Sequence, residues 1–375
     1  MSMIETVQDL QDLARGAVLL GTGGGGDPYV GELFVAEQIR RGRLPQVVSP
    51  DSLAGDAFVL SIAGIGAPTV IVEQLVSETT LLRLLARAEA FYGRRVDALI
   101  SAEIGGANSV FPLALSAISG VPVVDADGVG RAVPQLEMTT FSIYGVKATP
   151  CLLMDDLGNA VTVDAVSDRS AEDLCRAIVT AMGSMAFSAI YPMNGRQVRE
   201  CAVLGSLSLS LGIGRAIRKG RDEPDGDPFA SLLSYLATQN GRTARVLFDG
   251  KVSDVLHETR DGWHWGLVTL QNLRDDGDQF TIEIRNEFII ARHNGTPVTM
   301  VPDLISVLDR ESAEPLTAEM LTYGQRVKVL GFAADPMLRR PESLEVLGPR
   351  LFGLDCDFTP IEEVETEAGE AVSAE

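Results

Sequence analysis

Four glycine-rich segments of the chain carry residue types that bind and activate small polar molecules. They are GTGGGGD at residues 21–27, GIGAP at 64–68, EIGGANS at 103–109 and DADGVGR at 125–131. Glycine has no Cβ atom, so a ligand can approach the backbone closely. A carboxylate can accept hydrogen bonds from ring N–H groups, or take a proton from water as a general base. This combination suits a planar cyclic amide or imide as the ligand.

Each segment follows an apolar run, as a loop does at the end of a strand. In open α/β sheets, ligands bind beyond the carboxyl ends of the parallel strands, so the four loops would share one edge. We expect three acids to be catalytic: Glu103, Asp125 and Asp127. We expect the substrate to be held by Thr22, Gly23, Gly24, Gly25, Asp27, Asn108 and Arg131. Taken singly, each acid could instead be a helix cap or a solvated turn residue.

A metal ion is a second use for the same acids. Asp125 and Asp127, separated by one residue, could bind a hard divalent cation through their oxygens. No other cofactor is indicated. The three histidines, His257, His264 and His293, have no HxH or HxxxH spacing, which argues against a histidine-rich zinc site.

The first glycine segment has more than one interpretation. An apolar run at 17–20 precedes it and a helical pattern at 29–41 follows, so residues 21–26 match a dinucleotide fingerprint and would suit an NAD(P)-dependent oxidoreductase. However, Asp27 and Pro28 are typical first residues of a helix, and that carboxylate would occupy the place of a pyrophosphate. The loop could also serve close backbone packing alone, or cradle a ligand in a non-catalytic binding module.

The apolar patterns around these segments predict an α/β domain with a mostly parallel sheet. Strand-like runs alternate with helical runs from residue 4 to 240. The predicted strands are 57–63, 96–102 and 121–124. The predicted helices are 79–92, 109–119, 170–182, 205–219 and 228–238.

After residue 240 the pattern changes to short runs rich in valine, isoleucine, threonine and phenylalanine. The runs are 242–248, 266–270, 280–285 and 287–291, and the turn signals are Asp249-Gly250, Asp276-Gly277 and Asn294-Gly295. We therefore predict an α/β domain over 1–240, a smaller all-β domain over 241–358 and a disordered acidic tail over 359–375.

Charge and cysteine usage narrow the class of partner. The chain of 375 residues has 31 basic and 52 acidic side chains, a net charge of −21, which argues against nucleic acid and anionic membranes as partners. Four cysteines without a CxxC pair suit a reduced cytoplasm, and no signal peptide is visible at the N-terminus. A homodimer is the expectation from base rates.

Six long runs resemble the S-methyl thiohydantoin desulfurase family, a two-domain group often encoded near hydantoinases. They are LGTGGGGDPYVG (20–31), AEIGGANSVFPL (102–113), PVVDADGVGRAVPQLEM (122–138), GSLSLSLGIGRAI (205–217), NGTPVTMVPDLISVLD (294–309) and TYGQRVKVLG (322–331). The resemblance implies an N-terminal α/β domain and a C-terminal all-β domain. It also implies a hydrolase-type reaction that uses water to remove sulfur from a thiohydantoin-like ring.

The residues suggest roles in such a reaction. Glu103 or Asp125 would activate the water, and Asp127 would orient the ring or a metal. The N–H groups of residues 23–26 would hold a ring oxygen, and Arg131 would pair with a carboxylate on the substrate.

Overall fold

The computed structural model describes residues 3–66, 70, 76–239, 242–260, 263–275 and 277–364. Within these residues the chain forms α-helices and two large β-sheets. The helices are α1 Val7–Leu20, α2 Tyr29–Arg40, α3 Glu78–Tyr92, α4 Phe111–Ser119, α5 Thr140–Ile143, α6 Asp168–Ala181, α7 Gly195–Cys201, α8 Ser206–Asp222, α9 Pro228–Ala237 and α10 Pro341–Leu347.

The first sheet has eight strands and belongs to the α/β domain. The strands are β1 Val47–Val48, β2 Phe58–Gly66, β3 Ala98–Ser101, β4 Val123–Asp127, β5 Cys151–Met154, β6 Ala160–Val163, β7 Met185–Asn194 and β8 Val203–Leu204. Their order is β1-β4-β3-β2-β7-β5-β6, with β8 paired to β4. Strands β1, β4, β3 and β2 run parallel, while β5, β6, β7 and β8 add antiparallel pairs at the sides. The carboxyl ends of β2, β3 and β4 therefore share one edge.

The second sheet also has eight strands, and every neighbouring pair is antiparallel. The strands are β9 Ala244–Arg260, β10 Trp263–Asn272, β11 Gln279–Arg285, β12 Glu287–His293, β13 Thr296–Met300, β14 Leu304–Asp309, β15 Pro315–Leu316 and β16 Arg326–Phe332. Their order is β13-β12-β11-β10-β9-β16-β14-β15. The predicted fold class, an α/β domain followed by an all-β domain, is confirmed.

Burial explains why the central parallel strands could be predicted from the sequence. All four residues of β3 are buried, because helices cover both faces of the parallel part of the sheet. A strand that is buried on both faces reads as a continuous apolar run rather than an alternating one. The strands predicted at 57–63 and 96–102 accordingly overlap β2 and β3.

The segment before the first glycine loop is helical, so the strand expected at 17–20 is wrong. Those four residues form the last turn of α1, which begins after Thr6 in a capping box with Asp9. The buried positions Leu10, Leu13 and Ala17 have helical spacing, which the short apolar run did not reveal. The glycine loop therefore joins two helices, and it lacks the preceding strand of a dinucleotide fingerprint.

Helix α1 packs very closely against α8 through two glycines. A Cβ atom added to Gly16 would lie 1.9 Å from the Ser210 carbonyl oxygen, and one added to Gly214 would lie 1.8 Å from the Asp12 carbonyl oxygen. The buried Asp12 carboxylate also pairs with Arg218 at 2.8 Å. This contact holds the helix that leads into the glycine loop.

Turn predictions in the second domain were right in one place and wrong in another. Asn294-Gly295 connects β12 and β13 as a hairpin turn, with both residues at positive φ. Asp249-Gly250 lies inside β9, where β9 pairs with both β10 and β16. Asp276, the predicted boundary residue at 240 and residues 365–375 of the predicted tail lie outside the described residues. The tail was predicted to be disordered from residue 359, but Ile361 is buried and donates its N–H to Asp303 at 3.0 Å, so residues near it are packed.

Among the described residues, no helix is both long enough and apolar enough to cross a bilayer.

Candidate active site between the two domains

The glycine loop after α1 contacts the second sheet directly. Thr22 accepts a hydrogen bond from the Phe288 N–H at 2.7 Å, and Gly23 accepts one from the Ala318 N–H at 2.8 Å. A Cβ atom on Gly23 would lie 2.5 Å from the Phe288 ring. A Cβ atom on Gly24 would lie 2.6 Å from an oxygen of Glu287. These glycines let the two domains meet at the loop.

The same loop packs against the two loops that follow β3 and β4. The Gly25 carbonyl accepts a hydrogen bond from the Ala107 N–H at 2.9 Å, and the Arg131 carbonyl accepts one from the Gly105 N–H at 3.2 Å. A Cβ atom on Gly25, where φ is +75°, would lie 2.4 Å from the Gly105 oxygen. Three of the four glycine segments thus meet backbone to backbone. The strand-end argument predicted one shared edge for all four, although the first segment follows a helix rather than a strand.

Glu103 is held at this junction by two hydrogen bonds. Its carboxylate accepts one from the Asn108 side chain at 2.8 Å and one from the Val133 N–H at 3.0 Å. The Asn108 amide oxygen in turn accepts a bond from the Gly64 N–H at 2.7 Å, which brings in the end of β2. Burial raises the pKa of Glu103 to about 7, against the lowering effect of its two hydrogen bonds. The side chain keeps partial solvent access, so it can exchange a proton near neutral pH.

Asp127 is fully buried beneath the same loops. One of its oxygens accepts hydrogen bonds from the N–H groups of Ile104 at 2.8 Å, Val129 at 3.0 Å and Gly130 at 2.8 Å. Burial raises its pKa to about 7, although these backbone bonds favour the charged form. The contacts fix the backbone just after Glu103 and just before Arg131, which suits a positioning residue.

Arg131 is buried and joins both domains. Its guanidinium donates to Thr22 Oγ1 at 3.0 Å, to the Pro302 carbonyl at 2.7 Å and to the Ala132 carbonyl at 3.0 Å. Burial lowers its pKa to about 10, while nearby carboxylates, Glu287 first, favour its charge. The three bonds direct the guanidinium toward protein oxygens at the domain junction.

Glu287 is a site residue that sequence reasoning missed. It begins β12, is 3% exposed and places its carboxyl against Gly24. Burial raises its pKa to about 8, with Arg131 opposing the shift and Glu103 adding to it. The available signal was a lone acid at the start of the buried run Phe288–Ala291, since an unpaired acid is rare in a core strand.

Two predicted acids serve helix N-termini. The Asp125 carboxylate accepts hydrogen bonds from the Ser208 N–H at 3.0 Å and the Ser208 hydroxyl at 2.5 Å, in the first turn of α8. It lines a separate open cavity of about 430 Å³ together with Asp51. Asp27 accepts a bond from the Tyr29 N–H at 2.9 Å at the start of α2, as its predicted capping role requires.

The glycine loop also presents free backbone donors. Among the described residues, the N–H groups of Gly25, Gly26 and Asp27 have no hydrogen-bond acceptor. They precede α2, whose positive N-terminal end is already met by the Asp27 carboxylate. Gly25 and Asp27 are partly exposed, so an oxygen of a ligand could be held there.

Across the described part of the chain, no group of three or more histidine, cysteine, aspartate or glutamate side chains is arranged to hold a metal ion. Asp125 and Asp127, the pair predicted for this role, instead bond to Ser208 and to three backbone N–H groups.

Together these features define a two-domain protein, α/β and all-β, with a carboxylate-lined site where the domains meet. The S-Me-THD-like N-terminal domain matches residues 8–165, and the S-Me-THD-like C-terminal domain matches residues 166–361. The chain therefore belongs to the S-Me-THD-like family.

A solved structure has the same fold. The crystal structure of a protein from Chromobacterium violaceum, a structural genomics target, superposes with a TM-score of 0.79 at 25% sequence identity. The match covers 95% of this chain and 99% of that one. No curated protein matches the chain.

Proposed function

We propose that this protein hydrolyses a thiohydantoin-like ring, with water replacing sulfur at a ring carbon and a thiol released. One observation carries the proposal: Glu103 is a partly exposed carboxylate, held by Asn108 and Val133, whose pKa is raised to about 7 by burial. A carboxylate tuned near neutral pH is suited to taking a proton from water. Membership of the S-Me-THD-like family supports the choice of substrate class.

In this proposal backbone N–H groups near Glu103 stabilise the negative charge of the transition state. The free N–H groups of Gly25, Gly26 and Asp27 would bind a ring carbonyl oxygen and stabilise the negative charge that develops during attack. The segment that follows Glu103 packs against Gly25, and this contact supports a base and donors that would act side by side. Asp127 would hold the shape of the loops, and Asp125 would cap α8 rather than react.

The proposal also includes a role for Arg131 and a homodimeric state. The buried guanidinium would keep the two domains in register and supply positive potential for a substrate carboxylate. The homodimer stays a prediction, and size measurement in solution would test it.

The test is a turnover assay with three matched rings: an S-methyl thiohydantoin, the parent thiohydantoin and the corresponding hydantoin. We expect thiol release from the S-methyl ring, with one oxygen atom from isotopically labelled water in the hydantoin product. The hydantoin itself controls for ring opening. Tight binding of the rings without any sulfur release would contradict the proposal and favour a binding module.

A further inference from the structure

The carboxyl group of Glu287 is buried, and the one hydrogen bond it accepts comes from its own backbone N–H. It is 3% exposed, and its oxygens accept no hydrogen bond from any other residue in the described part of the chain. Burying an unpaired polar group costs free energy, and burying it charged costs much more. A purely structural role would be filled better by an apolar side chain of the same size.

The position of this carboxyl group is set by the glycine loop. One oxygen would lie 2.6 Å from a Cβ atom at Gly24, so only glycine leaves room for it. The next residue, Phe288, donates its N–H to Thr22 at 2.7 Å, and Thr22 also binds Arg131. Glu287 is therefore fixed from the second domain onto the loop whose next residues carry the free N–H groups.

We propose that Glu287 is the proton donor that complements Glu103, giving its proton to the ring nitrogen beside the carbon that bears sulfur. The inference rests on the proposed function, because it assigns a partner to the base of that reaction. An acid at this nitrogen makes the adjacent carbon more electrophilic at the moment when water attacks.

Protons and electrons balance in this step. Glu103 takes one proton from water as the new C–O bond forms, and the C=N electron pair moves to the nitrogen, which takes the proton of Glu287. The C–S bond then breaks, its electron pair leaves on sulfur, and the hydroxyl proton of the intermediate goes to the thiolate. The products are a hydantoin and a thiol, and the proton on Glu103 returns to Glu287.

The electrostatics support this division of roles. Burial raises the pKa of Glu287 to about 8 and that of Glu103 to about 7, so the donor holds its proton at a pH where the base has begun to lose its own. Two acids whose environments separate their pKa values are a recurring arrangement for acid–base pairs.

The experiment compares the pH dependence of kcat/KM for thiol release in wild type, Glu287→Gln and the control Glu311→Gln, an exposed acid paired with Arg310. Wild type should lose activity above about pH 8. Glu287→Gln should lower kcat/KM by about 100-fold and abolish this alkaline limb, because glutamine cannot give up a proton in catalysis. The rise of activity through pH 7, which Glu103 controls, and the activity of the control should remain.

Each other outcome has a distinct meaning. Wild-type turnover with an unchanged profile in Glu287→Gln would overturn the role of Glu287 and leave Glu103 in place. No sulfur release by wild type from any ring would overturn the proposed function itself. A Glu287→Gln protein that does not fold at pH 6 would also contradict the inference, since glutamine matches the shape and charge of the protonated carboxyl group.

Discussion

Arg131 donates a hydrogen bond of 3.0 Å to the hydroxyl of Thr22, although 109 residues separate them. The same guanidinium reaches the Pro302 carbonyl at 2.7 Å in the second domain. One buried side chain therefore connects the glycine loop, the loop after β4 and the loop between β13 and β14. The candidate site exists only where these three pieces meet.

Replacing this guanidinium should weaken the whole protein. Arg131→Lys keeps the charge but cannot reach three acceptors at once, so buried oxygens lose their donors. We expect the free energy of unfolding to fall by about 2–4 kcal/mol, measured by urea denaturation. Arg310→Lys, at an exposed pair with Asp249, is the control and should cost under about 1 kcal/mol. Equal losses in both variants would contradict this role.

A methyl group at Gly24 should damage the site without strain in the backbone. It would lie 2.6 Å from a Glu287 oxygen and would push that carboxyl group away from the loop. We expect Gly24→Ala to lower kcat/KM for thiol release by about 10- to 100-fold. Gly55→Ala is the control, because the nearest atom to its added methyl is 4.0 Å away. Full activity in Gly24→Ala would show that the contact is dispensable.

Asp125 and Glu103 should behave differently when neutralised. Asp125→Asn should keep kcat/KM within a few-fold of wild type, because its carboxylate bonds to Ser208 in α8. It should instead lower stability by about 0.5–2 kcal/mol, the range for a lost helix cap. Parallel kinetic and thermal-melting measurements separate the two effects. A large kinetic loss at normal stability would return Asp125 to the catalytic group.

The raised pKa values predict how stability depends on pH. Glu103, Asp127 and Glu287 have pKa values of about 7, 7 and 8, above their ordinary values of 4.5, 3.8 and 4.5. The folded protein thus binds more protons than the unfolded chain between these two sets of values, so stability falls as the pH rises from about 4 to the folded pKa values and is fully lost above them. We expect Tm to fall between pH 5 and pH 8 and to level off above pH 8.

Glu287→Gln isolates one part of this effect. The variant has no charge to bury, so its Tm should fall less than that of wild type over the same pH range. At pH 4, below the ordinary pKa of a glutamate, the two proteins should melt at similar temperatures, because the side chain is then neutral in the folded and the unfolded states. A Tm that falls equally in both proteins would contradict a raised pKa at Glu287.

The parts of the site that could be predicted from sequence lie on consecutive parallel strands. The apolar runs of β3 and β4 were visible, so the loops with Glu103 and Asp127 could be assigned to one sheet edge. The contact between Glu103 and Asn108 follows from their nearness in one loop. Local patterns and one topological rule were sufficient here.

The rest depends on tertiary contacts that no local pattern records. Glu287 reaches the site from another domain, and its burial against Gly24 depends on how the two sheets meet. Asp125 and Asp127 share one face of β4 by their spacing. The Asp125 carboxylate nevertheless bonds to Ser208 of α8, and no local pattern predicts that contact. The last turn of α1 looked like a strand because four apolar residues fit either structure.

The most direct test of Glu103 as the catalytic base is to compare thiol release from an S-methyl thiohydantoin by wild type and by Glu103→Gln at pH 7.5. Glutamine keeps the shape of the side chain but cannot take a proton from water. If Glu103 is the base, wild type turns over the substrate and the variant loses at least about 100-fold in kcat/KM, with an unchanged fold. Wild-type turnover in Glu103→Gln would contradict the assignment of Glu103 as the base.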